Sequence, residues 1–318
     1  MTAATDRGGL SMITILLIKK IISLFVIILA GFLLVRIRVF SASESRTLSK
    51  ASLYLLAPCM ILSAFQVDYT PDVSAGLALA AGSSVVIQLM LVIMSALFKR
   101  WMKLDPVEQT SMFYSNAGNL IVPLVSAILG DEWVIYTSGF MGVQLILMWT
   151  HAKGILCGDR GVDIKKIALN PNMIAIYIGL VLFFTGWRVP GPAGDAIDSL
   201  GDMIGPVSML VTGMLIGGMD LKKLISYRRL PLMVLMRLIV VPAFVLVLLR
   251  FTGIAELAPN GRDVLLITFL ACITPSASTI TNMAVVYDRD ADYASAINVA
   301  TTLCCIVTMP LMVMLYTL

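Results

Sequence analysis

Ser115-Asn116-Ala117-Gly118-Asn119-Leu120-Ile121-Val122-Pro123 places two amides, a glycine and a proline inside a segment otherwise apolar enough to cross a membrane. Proline removes a backbone donor and clashes with the preceding turn, while glycine and asparagine tolerate non-helical backbone, so a helix break is expected near this stretch. Irregular backbone at membrane depth persists only where protein or a water-filled cavity satisfies it. A kinked structural helix is the plainer alternative, since proline and glycine are commoner in membrane helices than in soluble ones. What favours paired breaks is a second such stretch in the other half of the chain, Thr274-Pro275-Ser276-Ala277-Ser278-Thr279.

The rest of the composition agrees with a membrane setting. With 59% apolar and 13% charged residues in 318 and a mean hydropathy of +0.94, the apolar surface exceeds what one soluble core could bury. The first apolar run continues to about Val35, too long for a signal-peptide core, so it is expected to remain as an anchor. The five cysteines contain no C-x-x-C pair, and His151 is the single histidine, so neither a disulfide framework nor a zinc site is expected. No Gly-x-x-x-x-Gly-Lys-Ser/Thr run for nucleotide phosphates occurs. No cofactor and no enzymatic activity are expected, and the charge of +4 lies in short loops, where it reports orientation and not nucleic-acid binding.

Spans of about 20 apolar residues can be marked ten times: near Ile13 to Val35, Leu48 to Ala64, Val73 to Phe98, Met112 to Leu129, Val134 to Leu156, Ile167 to Trp187, Ile197 to Met219, Pro231 to Phe251, Val264 to Val286 and Tyr293 to Tyr316. The longest polar insert joins spans five and six, which divides the chain into a first five-span half (1–157), a linker (158–166) and a second half (167–318). Alternate loops carry sixteen Lys and Arg against four, which places both termini on the non-cytoplasmic side of the cytoplasmic (inner) membrane. An odd number of spans per half forces the halves into opposite orientations, so any likeness between them is an inverted repeat. Pro58 and Pro206, and Pro123 and Pro275, recur in order across the halves. Lys19 and Lys20 fall inside the first span and are expected to snorkel to the interface.

A helix broken in mid-membrane presents the positive end of one half-helix and the carbonyl end of the other. No Asp or Glu lies in the interior of any span, Asp202 being the nearest to an exception, which argues against a cation or proton site and for an anionic solute. The amides of Asn116 and Asn119, the hydroxyls of Ser115, Ser276, Ser278 and Thr279, and backbone N–H groups exposed by Gly118, Pro123 and Pro275 are the candidate substrate-binding set. Arg237, about six residues into span eight, is expected to snorkel or to pair with a helix terminus, in preference to touching substrate. Asn170-Pro171 reads as a helix start.

Taken in order, Leu56-Ala57-Pro58, Asn116-Ala117-Gly118 followed by Pro123-Leu124, Asn170-Pro171, Gly213 to Leu215, Pro275-Ser276-Ala277, and Thr302-Leu303 with Pro310 resemble the motifs of the auxin efflux carrier family, whose bacterial members include malonate and malate carriers. Where the family pattern has a second glycine, this chain has Ile121. The resemblance implies an all-α fold of ten helices in two inverted five-helix repeats, with helices four and nine broken and crossing. It also implies a scaffold of spans one, two, six and seven beside a transport domain of the remainder. A secondary transporter of a small mono- or dicarboxylate working by alternating access is the expected function. A channel or a membrane solute receptor on the same fold is the alternative, and a homodimer, as in related carriers, stays open.

Overall fold

The computed structural model describes residues 19, 22–23, 25–158, 165, 168–220 and 226–317, and among these the chain is all-helical. Six helices are long and apolar enough to cross a membrane: α2 (Ala42–Ala64), α3 (Pro71–Met102), α6 (Asp131–Cys157), α8 (Gly191–Gly218), α9 (Leu230–Phe251) and α12 (Ala291–Thr317). Two shorter apolar helices are α1 (Phe25–Arg36) and α7 (Pro171–Thr185). Two further segments are interrupted: α4 (Pro106–Phe113) stops before α5 (Ala117–Ile128), and α10 (Gly261–Ile273) stops before α11 (Ser278–Val286). The expected linker, apart from Gly158 and Lys165, and most of the first expected span lie outside the described residues.

Local chemistry sets the helix starts. Thr70 caps α3 by accepting from Val73 N at 3.1 Å, with Pro71 in the first turn. Asp105 accepts from Val107 N and Glu108 N while Glu108 reaches back to Asp105 N, a reciprocal capping box that opens α4. Asn170 accepts from Asn172 N ahead of Pro171, as the sequence suggests. Lys103, left-handed at φ 51°, ends α3.

The helix faces suit a lipid surround. On α3, Val85, Leu89, Ile93 and Leu97 are exposed at a spacing of four, while Ser83, Ser84, Gln88 and Ser95 are buried together with Ile87, Leu91 and Met94. An apolar exterior, with polar groups held inside a largely apolar core, fits a membrane, where polar groups are satisfied only inside the bundle. Helices α1 and α8 approach so closely that a β-carbon on Gly213 would fall 1.9 Å from Ile28 O, and one on Gly31 would fall 2.3 Å from Leu210 O. With Gly217 four residues on, this is small-residue packing of membrane helices.

Candidate functional site

The two interruptions touch. Ser115 and Ser276 form an isolated antiparallel bridge, with Asn116 N donating to Pro275 O at 2.8 Å and Ala277 N donating to Tyr114 O at 3.0 Å. In this pairing the backbone groups of the two serines themselves point away from each other and need other partners. Gln144 of α6 supplies them for Ser115: it accepts from Ser115 N (3.2 Å) and Oγ (2.5 Å) and donates to Ser115 O (2.9 Å). On the other side, α12 does the same for Ser276, through Asn298 Nδ2 to Ser276 O (2.6 Å) and Ser276 N to Thr301 Oγ1 (3.1 Å).

Arg237 occupies the carbonyl side of the crossing. It lies on α9 in a π-helical turn, Met236–Val240, just ahead of Pro242. Its side chain is fully buried, with Nη1 donating to Met112 O (3.3 Å) and Nη2 to Cys272 O (2.8 Å) and Thr274 O (2.7 Å). Met112 lies in the last turn of α4 and Cys272 in the last turn of α10, so one guanidinium caps the C-terminal ends of both leading half-helices. Of the two roles expected from sequence, this is the pairing with helix termini and not snorkelling.

The opposite, amide-bearing ends belong to α5 and α11. Ser278 Oγ donates to Asn116 Oδ1 at 3.4 Å, which links the first residue of α11 to the residue before α5. A β-carbon on Gly118 would meet no atom within 4 Å, so the first turn of α5 borders open space. Ser276 Oγ, on a residue with no exposed surface, has no hydrogen-bond partner among the described residues. Pro275 is buried in the second break, and Thr279 is half-buried in the first turn of α11. Asn119 and Pro123 lie on α5, with side chains outside the described set.

A family model described as "Membrane transport protein" matches residues 16–158 and 159–313. The chain belongs to this family, the auxin efflux carriers. It is therefore a multi-pass membrane transporter. No curated protein matches the chain at a significant level.

One expectation for the carrier needs correction. Pro123 is not at the break: the helix of α5 begins at Ala117 and runs through it, so Pro275 has no positional counterpart there, and Ser115 is the residue that faces Ser276. The break is made instead by Tyr114 to Asn116, where extended backbone at Tyr114 (ψ 126°) releases the chain from α4. Ile121 does not line the open side of the break; it is fully buried in the main apolar core one turn into α5.

Three contributors are absent from the candidate set drawn from sequence. Gln144 and Asn298 are single amides inside apolar helices, and that isolation is the sequence signal that marks them. His151 is the third: Tyr114 Oη donates to Leu147 O (3.1 Å) and shares a hydrogen bond with His151 Nδ1 (2.8 Å) in a π-helical turn of α6, Met148–Ala152. The lone histidine thus sits against the first residue of the break. To one side of α5, a cavity of about 770 Å³ reaches Val122 and Ser126 and is bounded by the end of α2 and the start of α8. Asp131, Glu132, Asp195, Asp198 and Asp202 line it together with Arg188.

Proposed function

We propose that the carrier moves a small organic anion, a mono- or dicarboxylate, across the cytoplasmic membrane by alternating access, and that the crossing of the two breaks is its substrate site. The observation that carries this reading is the division of labour at the crossing. Arg237 takes the carbonyl ends of α4 and α10, which leaves the amide ends of α5 and α11, with the buried hydroxyl of Ser276 beside them, as donors. Unpaired N–H groups at a helix start favour a carboxylate, and with no acid on α5 or α11 a cation finds no ionised partner there.

Among the described residues, six helices long enough to span, two shorter apolar helices and two interrupted segments support a reading as ten passes in two inverted five-helix repeats, with both termini outside the cytoplasm. The antiparallel sense of the Ser115 and Ser276 contact is what such inversion requires. The large cavity is lined by residues of α5, α2 and α8, and offers a polar path along α5 toward the crossing. Uptake by proteoliposomes and thermal stabilisation by a panel of small carboxylates, amino acids, neutral solutes and cations test the reading together. Asn116→Ala is expected to fold and to lose most of the carboxylate response. Stabilisation by cations or neutral solutes alone refutes it.

A further inference from the structure

The geometry points to a site that balances one negative charge: Arg237 sets the count, and the carrier selects singly charged carboxylates over dianions. This rests on the anion reading above and narrows it. Each helix end carries about half a unit charge, negative at the carbonyl end and positive at the amide end, and it resides in the terminal turn. The guanidinium of Arg237 therefore offsets the carbonyl ends of α4 and α10, about minus one together. The amide ends of α5 and α11, about plus one together, keep no counter-charge. No carboxylate is among the partners of Arg237 among the described residues, and α5 and α11 contain no Asp or Glu.

Two further observations point to a ligand at those amide ends. Ser276 Oγ, fully buried and two residues ahead of α11, has no partner among the described residues. Beside Gly118, in the first turn of α5, there is open space. A burial without compensation costs both the hydroxyl and the net charge, and a single carboxylate repays both. A second ionised carboxylate would carry the site to about minus one in a low-dielectric setting, with no cationic side chain on α5 or α11 to offset it.

The test uses the purified full-length protein, with thermal unfolding followed by labelling of the buried thiols of Cys272 and Cys305. The probes are formate and lactate as monoanions, malonate at alkaline pH as dianion, and lactamide as the neutral control, all at matched ionic strength. Stabilisation grows with ligand concentration over Kd, so weak binders register. In the wild type, lactate or formate should stabilise, and malonate should bind on the order of tenfold more weakly. Arg237→Gln should cost the monoanions on the order of tenfold, the effect of a unit charge about one helix diameter (~10 Å) away at an effective dielectric of about 20. Arg237→Lys, which keeps the charge and loses the fork, should restore most of it. Ser276→Ala removes no hydrogen bond of the Ser276 hydroxyl among the described residues, so it should fold like the wild type and weaken the monoanions several-fold. Malonate binding as tightly as lactate overturns the charge count while leaving the anion site standing. Response to neither monoanion overturns it as well, and response to lactamide alone removes the anion reading itself.

Discussion

Replacing Gln144 by leucine tests whether the break is held by the helix beside it. The two side chains are close in volume, so the change removes hydrogen bonds with little change in packing. Three are lost: from Ser115 N, from Ser115 Oγ and to Ser115 O. Hydrogen bonds between membrane helices average about 0.6 kcal/mol, which sets a lower bound near 2 kcal/mol. A buried backbone group left without a partner costs about 1–3 kcal/mol, and Ser115 N and O become two of these, which raises the upper bound to about 6 kcal/mol. At roughly 2–4 °C per kcal/mol the melting temperature should fall by about 4–24 °C. The same thiol-labelling melt reads this, with uptake measured on the folded fraction. Gln144→Glu keeps the two acceptor contacts but places a carboxylate beside the crossing, so it should lose less stability and more anion binding than the leucine variant. A leucine variant that melts and transports like the wild type would show that the Ser115 backbone has another partner and that the symmetric role given to Gln144 and Asn298 is mistaken.

Gly213→Ala should separate α1 from α8, because the added carbon would sit 1.9 Å from Ile28 O. Overpacking of this kind costs about 1–3 kcal/mol or more, readable as a lower melting temperature with binding at the crossing unchanged. Ile121→Gly opens a cavity in the core and weakens α5, for a loss of about 3–5 kcal/mol; retained wild-type stability would contradict its burial. Changing Asp195, Asp198 and Asp202 together to Asn should lower the KM for an anionic substrate several-fold on the face where the cavity opens. The gain should fade at high salt, and equal KM values for mutant and wild type in oriented vesicles would exclude the cavity as an access path.

The helical fold and the two breaks were legible because hydropathy and glycine, proline and amide runs are local signals. Asn170-Pro171 starts a helix for the same reason. What sequence could not supply was pairing at a distance: nothing local says that Ser115 meets Ser276, or that Arg237 reaches the ends of α4 and α10. Proline was also too blunt a marker, since Pro123 fits within α5 while the departure from helix lies at Tyr114 to Asn116. The acidic cavity draws on α2, α5, α6 and α8 and their connections, so its character emerges only when these are assembled. Loop charge reports orientation, while its local concentration around the cavity depends on how these helices assemble.

The bridge between Ser115 and Ser276 also constrains how the protein is made. Its two halves are separated by about 160 residues, which a ribosome adds in roughly 8–32 s at 5–20 residues per second. Throughout that interval Asn116 N and Tyr114 O lack the partners they have in the finished molecule. The first break must therefore wait, shielded by water or by the insertion machinery, until α10 and α11 emerge. A nascent chain stalled after α6 should be an open, protease-sensitive species, and the carrier closes its own backbone only near the end of synthesis.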